Sequence, residues 1–291
     1  MEYINLSRRR KFGQKLNATF EFIRQNAGGL FKSILYLAGP LILITSALVI
    51  YLQRDLFLIT EGNSGDPFAM FNAFSSSFGW TYALSVISTA LLIAIVYDYM
   101  VLYQTKKSNQ IEVSEVWQLV RNDFFRVLVG GFLVSIVVII GFFLFILPGV
   151  ILAVLLSPIF IIMVKEKLNV FSAFSRSFNL VSGKWWSTFG IIVVSSVIQL
   201  IVTLVLILPF EGIKFLIGFN ALEGPDQEYL NNSFFQIIDI AISSVTMLGG
   251  YFIYTILLIA IGFQYYNLVE LKEASGLMED IDQIGSEEIS E

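Results

Sequence analysis

The stretch VLVGGFLVSIVVIIGFFLFILPGVILAVLLSPIFIIMV, from Val127 to Val164, runs for 38 residues without a charged side chain. As one helix it would measure about 57 Å, almost twice the roughly 30 Å hydrocarbon core of a bilayer. It must therefore fold back on itself. The Leu147-Pro148-Gly149 triplet near its middle supplies the break, because Pro ends a helix and Gly permits a tight reversal. The stretch reads as a helical hairpin. Its second arm carries Pro158, a place for a kink.

Four further apolar stretches surround this hairpin. The spans run Ile34–Leu52, Gly79–Tyr103, Val127–Leu147, Leu147–Val164, Ser187–Pro209 and Ile237–Tyr266. A composition 56% hydrophobic, with mean hydropathy +0.76, holds more apolar surface than a soluble core can hide. The expected class is all-α: an integral membrane helical bundle of six transmembrane helices with three cytoplasmic amphipathic helices. Residues 1–33 form a basic cytoplasmic segment, 34–269 the membrane domain and 270–291 an acidic tail. The basic start is not followed by an apolar region until about Ile34, so the first span reads as retained rather than as a cleaved signal.

Charge sets the orientation. Of the 18 Lys and Arg residues, 16 flank the spans on one side, and only Arg54 and Lys214 fall on the other. Cytoplasmic loops collect Lys and Arg, so both termini are expected in the cytoplasm. The absence of Cys excludes disulfides and thiol catalysis, and the absence of His removes the commonest general base. No Walker loop, zinc motif or nucleophile elbow is present. The chain reads as no enzyme, with no catalytic, cofactor-binding or metal residues and no nucleic-acid partner.

Three cytoplasmic segments carry apolar residues at helical spacing ahead of the odd-numbered spans: Leu16, Phe20, Ile23, Ala27 and Leu30; then Val113, Val116 or Trp117, Val120 and Phe124; then Phe171, Phe174, Phe178 and Val181. Ordinary packing on the bundle is one explanation. The other is a helix lying at the headgroup level, with Arg24, Lys32, Arg121, Arg126, Arg176, Lys184, Trp185 and Trp186 contacting anionic headgroups. Repetition of amphipathic helix and two spans hints at a threefold internal repeat.

Inside the spans, polar residues are the default functional candidates. Asp98 stands near the end of the second span, within reach of Lys107 or Arg126. Ser195, Gln199 and Thr203 on the fifth span, with Asp239, Ser243 and Thr246 on the sixth, can line a polar seam, or simply join the helices by hydrogen bonds. Gly130-Gly131 and Gly249-Gly250 permit close helix contact. In the acidic tail, Leu277, Met278, Ile281 and Ile284 can form one helical face for docking a cytoplasmic or membrane protein partner; a disordered solubilising tail is the alternative.

FILPGVILAVLLSPIFIIMVKEKLNVFSAFSRSFNLVSGKWWSTFG, residues 145–190, resembles the membrane domain associated with some glycerophosphoryl diester phosphodiesterases and related bacterial multispanning proteins. The Leu-Pro-Gly turn, Pro158, Arg176-Ser177 and Gly183-Lys184-Trp185-Trp186 carry the resemblance. It implies a bacterial inner-membrane location. In those enzymes catalysis belongs to a separate soluble barrel using His, Glu and a divalent metal, for which this chain has neither room nor His. The expected role is a non-enzymatic scaffold or accessory subunit. The alternative is a transporter or lipid-handling protein using the seam between spans two, five and six.

Overall fold

The computed structural model describes residues 3–49, 67–106, 110–222 and 233–274, and these are helical with no strand. In chain order the helices are α1 (Phe12–Leu37), α2 (Gly39–Val49), α3 (Pro67–Lys106), α4 (Val113–Leu144), α5 (Ile146–Leu156), α6 (Ile159–Lys165), α7 (Val170–Ser182), α8 (Trp185–Leu206), α9 (Leu208–Leu222) and α10 (Ser233–Glu273). Five described helices are long and apolar enough to cross a membrane. The pair α1 and α2, bent by 53°, makes a sixth if counted as one. Pro40 sits in the first turn of α2, where its missing N–H breaks no helical bond.

The hairpin forms, but by a different device from the expected one. A single extended residue, Phe145 (φ −165, ψ 159), ends α4 and caps α5. Pro148 falls three residues later, in the first turn of α5, where it is tolerated. No glycine among the described residues has positive φ. Gly149 serves instead as a contact surface: the Cα of Gly149 lies 3.1 Å from where a Cβ on Gly141 would stand, so the two arms touch backbone to backbone. The second arm does break at Ser157-Pro158, between α5 and α6, and the Ser157 hydroxyl donates to the Val154 carbonyl at 2.9 Å.

Element ends differ from the sequence reading wherever aromatic residues extend a helix past its apolar core. Helix α3 begins at Pro67 instead of Gly79, and α10 runs Ser233–Glu273, longer than Ile237–Tyr266 at both ends. Beyond Leu206, a stretch expected to be an outer loop is α9, with Pro209 in its first turn. The amphipathic segment at Val113 continues into α4 with no break, so the three expected amphipathic helices are two separate helices and one helical extension.

The chain divides into two compact units. The first comprises residues 1–33, 93–198 and 255–291. Its centre is the α3 run from Ile95 to Met100, every residue of which is fully buried. The Phe22 ring of α1 meets Tyr99, Tyr103 and Phe263 edge-on, at centroid distances of 5.0–6.4 Å. The second unit comprises residues 34–92 and 199–254. There the Ser46 and Ser244 hydroxyls bond at 2.7 Å, and the Gln199 amide donates to the Ile253 carbonyl at 3.0 Å. Gly249 would place a Cβ 3.8 Å from Ile207, and Gly250 faces open space.

The inward faces of α1 and α7 are not their most apolar ones. Helix α1 buries Lys15, Thr19, Phe22, Asn26 and Leu30 while Phe20 is exposed. Helix α7 buries Ala173, Ser177, Leu180 and Val181 while Phe171 is 78% exposed. Of the expected stripes, Leu30 and Val181 are buried while Phe20 and Phe171 are exposed, so each stripe straddles the edge of the packed face and leaves an aromatic ring uncovered. On α4 the buried positions are Val116, Val120, Asp123 and Val127, and Trp117 points out.

Candidate functional site

Helix α7 starts because the Asn169 side chain accepts from the Ser172 amide at 2.9 Å, capping its first turn. It ends at Gly183-Lys184, and α8 begins at Trp185. At this corner the Trp185 indole stacks on Phe189 at 5.1 Å and meets Trp186 edge-on at 4.8 Å. Its Nε1 donates to the Ile151 carbonyl of α5 at 3.4 Å. The result is a groove of about 600 Å³ lined by Leu147, Ile151 and the run Ser182–Ser187. One wall is apolar; the other carries the exposed Lys184 ammonium and the Ser182 and Ser187 hydroxyls. An amphipathic ligand with an anionic head and an apolar body fits that division.

A second cluster surrounds Asp98 on α3. Its side chain is fully buried, and neither carboxyl oxygen has a hydrogen-bond partner. It faces Asp123, Lys167 and Arg126. Asp123, itself buried, pairs with Lys167 Nζ at 2.5 Å and with Arg126 Nη1 at 3.1 Å. Lys167 has φ 54, a left-handed conformation usually left to Gly at a helix C-terminus, and the ion pair holds it there. Arg126 also donates to the Met163 carbonyl at 3.4 Å.

A third cluster centres on Lys15, whose Nζ donates to Gln264 Oε1 at 2.5 Å and Ser187 Oγ at 3.1 Å. The Gln264 amide donates onward to Thr188 Oγ1 at 2.9 Å. Burial, and then the charge of Lys184, lower the Lys15 ammonium from its ordinary range to about 8. The folded lysine therefore releases its proton at lower pH than the unfolded one. Between about pH 8 and the unfolded value the unfolded chain binds more protons, so stability rises with pH across that window. Thermal unfolding in detergent at pH 7.5 and 9.5 should show the rise, and Lys15→Gln should flatten it.

Apart from Lys15 on α1, the residues of these three clusters lie in a segment that matches a family. The model of DUF7847, a domain of unknown function, matches residues 75–267. The chain belongs to the DUF7847 family. The matched segment contains Asp98, the hairpin, the Lys184 corner and Gln264. No curated protein and no solved structure matches the chain.

Within this DUF7847 chain the expected seam residues that the structure describes fall in both compact units. Asp98 faces Asp123, and the Ser195 hydroxyl is buried without a partner, both in the first unit. Gln199, Thr203, Ser243 and Thr246 belong to the second, where Thr246 Oγ1 donates to the Ser243 carbonyl at 3.1 Å. The buried serine there is Ser244, one position along from the expected Ser243. The Asp239 side chain, Lys107 and the tail residues Leu277, Met278, Ile281 and Ile284 lie outside the described residues.

Of the expected headgroup contacts, Arg24, Lys32, Arg121, Lys184 and Trp186 are exposed, and Trp185 is half-buried. Arg126 is held by Asp123. Arg176 pairs with Glu166 at 3.0 Å and Glu273 at 2.5 Å, so its guanidinium is already engaged within the fold. Sequence reasoning missed Asp123, Lys15 and Gln264. The signal for Asp123 was present: it falls at i, i+4, i+7 from Val116 and Val120, a carboxylate inside an apolar stripe.

Proposed function

We propose that this chain is a non-enzymatic integral protein of the bacterial inner membrane, with six membrane-embedded segments and both termini cytoplasmic. Its role is that of a scaffold or accessory subunit that holds anionic lipid. The observation that carries this reading is that α1 and α7 leave apolar rings uncovered: Phe20 and Phe171 stand exposed on helices that also expose Arg24 and Lys32, with exposed Lys184 just past the end of α7. A water-facing helix hides such rings, whereas a helix at the headgroup level presents rings to acyl chains and cations to phosphate. The Lys184 groove supplies one of these contacts. It also brings together Leu147 and Gly183-Lys184-Trp185-Trp186, which carry the resemblance to the phosphodiesterase-associated membrane domain. We extend that relationship to the membrane half alone.

Each cation near an anionic surface contributes on the order of 1 kcal/mol. Replacing Arg24, Lys32, Arg121 and Lys184 by Glu should therefore strip co-purifying phosphatidylglycerol from the protein, read by native mass spectrometry in mixed-lipid nanodiscs. Unchanged retention would sink the lipid-holding role. For a protein partner, truncation after Ala274 leaves the Arg176–Glu273 pair in place. It should abolish any crosslink formed in native membranes through the tail.

A second reading, transport or lipid handling, is favoured by one observation: the orphaned Asp98 carboxyl. Under that reading Asp98→Asn stops transport of the protein's substrate while leaving tail-dependent crosslinks intact.

A further inference from the structure

We propose that the 127–164 hairpin does not cross the bilayer but lies as a wedge in its cytoplasmic leaflet, with acyl chains as its occupant. The inference rests on the membrane reading above and refines it, leaving four full crossings while keeping both termini on one side.

Helices α8 and α10 run antiparallel side by side: Gln264 bonds Thr188, and Lys272 donates to the Asn179 carbonyl just ahead of α8. The beginning of α8 and the end of α10 therefore share one face. The α5–α6 arm touches that face at two places fifteen residues apart. At one end the Ile151 carbonyl accepts from Trp185, the first residue of α8. At the other, Glu166 accepts from the Tyr265 hydroxyl at 2.9 Å and from Arg176, which also holds Glu273.

From residue 151 to 166 the arm is about 22 Å long at 1.5 Å per residue. An arm of that length standing along the bilayer normal would carry Ile151 most of the way to the opposite face. Instead Ile151 and Glu166 both contact residues at the start of α8 and the end of α10, so the arm lies along the face. Helix α7 lies along it too, its Ser177 hydroxyl donating to the Leu155 carbonyl at 2.6 Å. Exposed polar residues Ser175, Asn179 and Ser182 give α7 a water-facing side.

The hairpin has no polar side of its own. Phe143 is 90% exposed and Leu147 74%, in a stretch without a charge. Apolar side chains exposed in such a continuous run are stable only under hydrocarbon. Lys184 and Trp186 stand at its rim, the residue types that mark a membrane interface. A wedge confined to one leaflet expands that leaflet alone.

The chain has no cysteine, so introduced pairs report cleanly. Leu147→Cys with Lys184→Cys should crosslink through a short bis-maleimide in native membranes, since both line one groove. If the hairpin spanned, the two positions would be a bilayer apart, roughly 30 Å, and no crosslink would form. Phe143→Cys should likewise resist an impermeant maleimide added to intact cells. Outside labelling of Phe143→Cys, or absence of the 147–184 crosslink, overturns the wedge. Ser64→Cys, in the acidic segment on the predicted outer side, must label from outside in the same cells. If it does not, the membrane reading itself fails, and the two failures are thereby told apart.

Discussion

Replacing Asp123 by Ala should destabilise the protein by about 3 kcal/mol, whereas replacing its neighbour Asp98 by Asn should stabilise it by about 1 kcal/mol. The two carboxyls face each other inside the first unit, yet their partners differ completely. Asp123 takes Lys167 and Arg126 at 2.5 and 3.1 Å, both charge-assisted contacts. Removing it strands two cations against a buried wall and frees the left-handed backbone at Lys167. Both cations keep partial access to solvent, which holds the cost to the lower end of the range for broken buried pairs. Asp98 receives no hydrogen bond on either oxygen. An amide in its place removes a buried acid and can keep the approach to Asp123 by donating to it.

Thermal unfolding of the two variants in one detergent checks the contrast. A loss for Asp98→Asn as large as that for Asp123→Ala would show that Asp98 is a structural member of the ion-pair cluster. Stabilisation would mark Asp98 as a residue kept against stability, and such residues concentrate where a protein does its work.

Much of the fold was legible because a bilayer allows few solutions. A charge-free run too long for one helix forces a hairpin, and the run of Val127 to Val164 does form one. The level at which that hairpin lies was not legible, because hydropathy measures contact with hydrocarbon and not direction. Boundaries slipped where Phe and Pro residues, ambiguous between loop and helix, turned out to extend α3 and open α9.

The candidate site was legible in parts. Asp98 stood out as a charge within a span, and Lys184-Trp185-Trp186 as a motif. Asp123 did not stand out, since it sits on a segment read as cytoplasmic and amphipathic. The inward faces of α1 and α7 were not legible for one physical reason. Apolar periodicity identifies the face that avoids water, and beside lipid that face points away from the protein as readily as toward it. Lys15 and Asn26 could turn inward only because Gln264, Tyr99 and the Phe22 backbone carbonyl were there to receive them.

Gly141→Leu should part the hairpin arms and cost about 2–3 kcal/mol, while Gly131→Ala should be neutral or slightly stabilising. A Cβ on Gly141 would stand 2.8 Å from Leu152 Cδ1 and 3.1 Å from the Gly149 Cα. The first contact can be relieved by a rotamer change, but the second is backbone and can move only with the helix. On Gly131 the nearest atoms are the Phe160 ring at 3.8 Å, an ordinary contact. Small residues let membrane helices approach where no hydrophobic force draws them together, so their loss acts on the separation of the arms. Gly250→Ala, with open space around it, serves as the unaffected control. The readout is twofold. Thermal stability in detergent should fall for Gly141→Leu alone, and the crosslink between Leu147→Cys and Lys184→Cys should weaken in the same variant, because a splayed tip leaves the Lys184 groove. Lower stability with an undiminished crosslink would mean that the arm α5–α6 is held by α7 and Trp185 rather than by α4, and the Ser177–Leu155 and Trp185–Ile151 bonds would then be the ones to cut next.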